Sequence, residues 1–225
     1  MFVHVLGEVL PLAVGIIVSP MPIAGVIALL LGPKGRGNAV VFTVAFLVAT
    51  FAVTLAFASG SKGTTRSDSF FAQLFHIVLG FAFAALFLFL AYRSFRGRPK
   101  KGEEPKEPRW LAAIDSFGPV KSAGLGLLLG VANVKNLPIM IAAGATIGTE
   151  GLEWPLVFLA VFVFSVIACL GVLVPTLLGG SGSKGITSFL ASTKSALIRH
   201  DAIIMTVLFL VLGAIQLGKA LEALG

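Results

Sequence analysis

The sequence predicts an all-α integral membrane protein of six transmembrane helices, arranged as two inverted three-helix repeats, with helices one and four broken at mid-membrane. Three observations predict it. Of the 225 residues, 57% are hydrophobic and only 12% charged, with a mean hydropathy of +1.01, too little polar surface to cover a soluble domain of this length. Two apolar stretches are interrupted near their middles, at Ser19-Pro20-Met21-Pro22 and at Asn133-Val134-Lys135-Asn136-Leu137-Pro138. An offset of 116 residues superposes the interruptions, Pro22 on Pro138 and Ile23 on Ile139, as an internal repeat requires.

Crossing a bilayer takes about 20 apolar residues, and residues 6–31, 38–58, 71–92, 122–147, 154–178 and 202–221 supply six such spans. No basic stretch precedes the first, where the early polar residues are His4 and Glu8, so it reads as a retained span and not as a cleavable signal. Proline has no N–H for the helix ladder and clashes with the preceding turn. In hydrocarbon the freed backbone groups must be buried in protein or line a cavity. Under the same offset span two falls on span five, with Val41 on Val157, Phe42 on Phe158, Phe46 on Phe162 and Ala52 on Ala168. Residues 185–200, with Ile186, Phe189, Leu190 and Leu197 near one helical face, suit either a helix lying in the inner interface or a plain loop.

Charge sets the orientation. Against Lys62 and Arg66 after span two and no basic residue after span four, Lys34 and Arg36 follow span one, a run from Arg93 to Lys121 follows span three, and Lys184, Lys194 and Arg199 follow span five. These loops are then cytoplasmic and both termini lie outside. An odd number of spans per half makes the second half enter from the opposite face, as in secondary transporters built from inverted repeats. The expected organisation is residues 1–93, a basic linker at 94–121 and residues 122–225. The linker contains Gly-Arg-Pro-Lys-Lys-Gly-Glu-Glu-Pro-Lys-Glu-Pro, which cannot bury a core and reads as a flexible cytoplasmic tether. Its basic end serves as a topology anchor or as a contact for anionic headgroups. The net charge of +7 lacks the basic face with interleaved aromatics that nucleic acid requires.

Lys135 is the residue that most demands a role, because an ammonium at mid-membrane costs about 2.5–3.5 kcal/mol. It can bind an anionic group, pair with an acid or cap free carbonyls; the competing reading is snorkelling toward an interface. Asn133 and Asn136 can satisfy the opened backbone or bind ligand, and Ser19 aligns with Lys135 in the repeat. Half-helices starting near Ile23 and Ile139 would present N–H groups, which favour a phosphate, sulfate or carboxylate. Two roles fit Glu8, a proton-coupling carboxylate or an interfacial side chain. His76, beside Gln73, fits a proton relay or a helix–helix hydrogen bond. Gln216, Thr43, Thr50 and Thr54 suit helix–helix contacts, and the pairs Gly126/Gly130 and Gly144/Gly148 suit close helix approach. The cluster Arg199-His200-Asp201 reads as an interface cluster, with a gate salt bridge as its alternative.

Neither metal-ligand spacing nor a phosphate-binding loop or nucleophile elbow is found, so no enzyme activity, cofactor or metal is expected. The lone Cys169 excludes a two-cysteine redox pair within the chain.

The two break motifs, with the six spans and the long basic third loop, resemble the lysine-exporter (LysE) transporter superfamily. Within it the Asn-x-Lys-Asn-Leu-Pro element is most similar to the GAP family, which includes the peptidoglycolipid- and sulfolipid-addressing proteins. The resemblance covers the whole chain. It implies a multi-pass plasma-membrane transporter that exports or flips an anionic envelope lipid or glycolipid, with Pro20, Pro22, Asn133, Lys135, Asn136 and Pro138 lining the site. A small polar solute such as an amino acid is the alternative cargo, and a non-transporting scaffold for envelope-lipid synthesis the alternative role. Besides the lipid or amphiphilic substrate, a second copy of the chain and the envelope-lipid synthesis machinery are the expected partners.

Overall fold

A computed structural model describes residues 1–62, 70–99, 111, 113–133, 135–179 and 183–223. Among these the chain is helical, without strands. The helices are α1 (Phe2–Ile17), α2 (Pro20–Leu31), α3 (Gly35–Ser61), α4 (Phe70–Arg96), α5 (Pro119–Val131), α6 (Leu137–Thr149), α7 (Trp154–Ala168), α8 (Leu170–Gly179) and α9 (Lys184–Glu222), with a 3₁₀ turn at Ile114–Ser116. Of the linker expected at 94–121, residues 100–110 and 112 lie outside the described residues.

The first break follows directly from proline chemistry. Ser19 is extended (φ −64°, ψ 113°), as steric conflict with the next proline ring dictates, and Pro20 then opens α2 with a preset φ. The axes of α1 and α2 differ by 52°. At the second break the carbonyl of Asn133 accepts from the N–H groups of Asn136 and Leu137, both at 2.9 Å, and Pro138 sits in the first turn of α6.

A third break divides what the sequence presents as one span at 154–178. The axes of α7 and α8 differ by 55° about Cys169, whose carbonyl accepts from Val172 and Leu173. Pro175 lies within α8 and cannot donate to the carbonyl of Gly171. The carbonyl of Ile17, at the end of α1, occupies the space that a Cβ on Gly171 would need. The first and third breaks therefore meet.

Packing brings α1 against α7 and α6, α2 against α8 and α9, α3 against α5 and α6, and α4 against α9. Along α3 the contacts run in order, Gly126 at Phe42, Gly130 at Ala49, Gly144 at Thr54 and Gly148 at Ala58. Thus α5 and α6 run parallel to α3, and the four glycines set the close approach expected of them. Helices α4 and α9 run antiparallel, with Gly80 at Ala220 and Phe87 stacked on Phe209, ring centroids 6.1 Å apart. Thr43 on α3 and Thr176 on α8 share a hydrogen bond of 2.7 Å.

Among the described residues three helices are long and apolar enough to cross a membrane, within α3, α4 and α9, and up to five spans result if each bent pair is one span. The 13-residue helices α5 and α6 are each about 20 Å long, short of the hydrocarbon thickness of about 30 Å. Val40, Val44 and Val48 form an exposed stripe on α3, and Ile203, Val207 and Val211 another on α9. In water such stripes would drive association; in a bilayer they face lipid. The chain is a multi-pass helical membrane protein.

One element differs from its sequence reading. Residues 185–200 are not a separate interfacial helix or loop but the first part of α9, 39 residues without interruption. No glycine or proline occurs from Ile186 to Leu212, so nothing ends the helix there. At about 58 Å, α9 exceeds the thickness of the hydrocarbon layer.

Candidate functional site

Backbone disruption concentrates polar groups where the breaks adjoin. Gly15, one turn before Ser19, packs against Ile139, one turn after Asn136, so the first two breaks lie side by side. Ser19 and Asn136 are fully buried, as are the rings of Pro20 and Pro22, while Pro138 is half-buried.

Their polar atoms are poorly satisfied. The buried side-chain atoms without a hydrogen-bond partner among the described residues are Ser19 Oγ, Asn133 Nδ2, both amide atoms of Asn136, Asp201 Oδ1 and Thr54 Oγ1. All but Thr54 belong to a break or to the acid paired with one. Leaving a buried polar atom unpaired costs about 1–3 kcal/mol, and native structures keep such atoms few. Here they are concentrated where the breaks adjoin.

Lys135 resolves one question the sequence leaves open: it pairs with an acid. Its ammonium forms an ion pair with Asp201 Oδ2 on α9, and the two side chains are 28% and 19% exposed. The cluster Arg199-His200-Asp201 therefore divides, with Asp201 turned to the second break and Arg199 and His200 exposed. Asn133 takes the backbone role, its Oδ1 accepting from the N–H of Lys135 at 3.1 Å. Asn136 does not, having no side-chain partner.

The helix N-termini contribute less than their positions promise. α2 begins at Pro20 and α6 at Leu137, two to three residues earlier than the sequence suggests. Pro20 and Pro22 remove two first-turn donors from α2. In α6 Pro138 removes one, and Leu137 and Met140 already donate to Asn133 and Asn136. Attraction for an anion falls mainly to Lys135.

Glu8 lies apart from this cluster, 11 residues before Ser19, or about 16 Å along a helix. Its Oε2 is 3.1 Å from Lys219 Nζ on α9, and His4 Nδ1 is 3.5 Å from Oε1. The pair borders a cavity of about 190 Å³ that Phe83, Thr149, Glu150, Gln216 and Glu222 also line. The side chains of His76 and Gln73 lie outside the described residues.

The sequence reading missed Lys219, read Gln216 only as a helix contact and gave Asp201 a gate role only as an alternative. Hydropathy marks each as polar near an apolar run, but nothing in the sequence names the partner. Cys169, within hydrogen-bonding reach of Thr50, is buried at the third break.

The chain matches no curated protein and no solved structure. Residues 9–222, which carry every break and both ion-pair partners on α9, match a family model described as Sap, sulfolipid-1-addressing protein, and the chain belongs to this SfLAP family.

Proposed function

We propose that the chain is a plasma-membrane transporter that exports or flips an anionic envelope lipid or glycolipid, which it engages at the adjoining breaks through Lys135, Asn133, Asn136 and Ser19, with Pro20, Pro22 and Pro138 holding the backbone open. The observation that carries this reading is the set of unpartnered buried atoms gathered around Lys135. The family's description, which names a sulfolipid, supports an anionic lipid over other cargo.

The proposed architecture has six spans in two inverted repeats, residues 1–93 and 122–225, within the wider LysE superfamily. The crossed packing supports it: the broken first span lies along α7 and α8, and α5 with α6 lies along α3, the exchange that a two-fold relation between halves produces. With loops one, three and five cytoplasmic, both termini are outside.

Mass spectrometry of molecules that co-purify with the wild type and with Lys135→Ala tests the function. One anionic lipid is retained by the wild type and lost from the variant. Identical lipid profiles overturn the reading, and a bound small polar solute moves it to an exporter of such solutes.

A further inference from the structure

The second ion pair on α9 lies 18 residues beyond the first, from Asp201 to Lys219, a separation of about 27 Å along a helix. Lys219 holds Glu8 twice, through the carboxylate at 3.1 Å and through the main-chain oxygen at 3.4 Å. Helix α1 packs mainly on α7 and α6 and only sparsely on α9, so this pair is the principal polar tie between α1 and α9. Between the pair and the breaks lies a tight apolar layer, where Gly15 faces Ile139, Leu208 and Leu212, each close enough that a Cβ on Gly15 would lie 3.1–3.4 Å away. Ser19, the residue on which α1 turns by 52° relative to α2, lies one turn past Gly15.

We infer that Glu8 and Lys219 form a proton-operated outer gate to the break site. This inference rests on the transport reading and supplies its coupling ligand, a proton. When the Glu8 carboxylate takes a proton from the outer solution, Lys219 keeps its own and loses its charged partner on α1. The tie between α1 and α9 then opens, α1 swings on the Ser19 joint, and the layer at Gly15 parts. The charged groups around Glu8 suit a proton rather than an anion as ligand. His4 lies on α1 itself, Lys219 and Glu222 come from α9, and Glu150 follows α6. α7 has no titratable side chain between Trp154 and Ala168, and α4 contributes Leu79, Gly80 and Phe83 to the cavity. The carboxylates outnumber the ammonium, and the side chain of His76 is outside the described residues.

The test uses the full chain in liposomes, with Cys169→Ala removing the native thiol and Ser19→Cys reporting access from outside to a membrane-impermeant maleimide. Replacing Glu8 by Gln, which mimics the protonated carboxyl, raises the labelling rate about tenfold at about pH 7.5, and the ratio to the parent falls toward one as the outer solution is acidified. Taking the ratio at each pH cancels the thiol's own ionisation. Lys219→Gln raises the rate likewise, and the exchanged pair Glu8→Lys with Lys219→Glu restores slow labelling, which a merely misfolded variant does not. Equal rates in the parent and Glu8→Gln at about pH 7.5, or a ratio that does not change with pH, overturn the gate. Lipid retention by the Lys135 variants is read separately, so failure of the gate and failure of the transport reading are distinguishable.

Discussion

The first and second breaks solve one backbone problem with different chemistry. At the first, two prolines impose the turn and the only polar side chain is Ser19, buried without a partner. At the second, one proline is joined by two amides and an ammonium, and the ammonium is tied to Asp201, 66 residues away. A proline pair can bend a helix without charge, so the charge at the second break is not needed for the bend. Stability also gains little from it, since a desolvated ion pair roughly breaks even against apolar packing. Under the proposed function, what Lys135 adds is a cation that an arriving anion can claim from Asp201.

The largest effect separates pairing from binding. Lys135→Glu sets two carboxylates against each other and lowers stability by about 1–3 kcal/mol, a figure kept modest because the pair is partly exposed. Adding Asp201→Lys recovers the thermal midpoint in detergent but does not recover the anionic lipid, because the cation then sits on α9 and not at the break. Full recovery of both would reduce the second break to a structural ion pair, equivalent in kind to the first.

Asn136→Leu sharpens the contrast from the other side. The amide makes no hydrogen bond among the described residues and does not cap α6. Its replacement by an apolar side chain of similar size therefore changes stability by no more than about 1 kcal/mol, in either direction, while lipid retention falls. A thermal scan and lipid mass spectrometry on the same sample read both quantities. If stability collapses instead, Asn136 is a structural residue.

The smallest effect belongs to the first break. Ser19→Ala removes an unpartnered hydroxyl and leaves both prolines, so stability shifts by less than about 0.5 kcal/mol and lipid retention declines less than in Asn136→Leu. A larger loss in Ser19→Ala would make the two breaks equal contributors to the site.

Both proline-marked breaks were legible because proline acts within one turn of itself, on donors and φ angles that the sequence specifies. The third break was not. Pro175 is visible, yet the bend is centred at Cys169, where the end of α1 docks on Gly171, and docking is not a local property. For the same reason residues 185–200 show an amphipathic pattern that fits an interfacial helix, although the uninterrupted run without glycine or proline carries α9 straight through. The site was half legible: Lys135 declared itself by its cost in hydrocarbon, but not Asp201 as its partner.

By itself the sequence determined that the chain lives in a membrane, where two helices open, and which residues stand at the openings. Hydropathy sets the solvent and proline the dihedral angles, and neither needs a neighbour. The tertiary structure alone decided that Lys135 meets Asp201, that Glu8 meets Lys219 across 211 residues, and that α1 closes against the third break. Ion pairs and close helix contacts are set by which faces the packing brings together, and in this chain the glycines along α3 and the single long helix α9 make that choice.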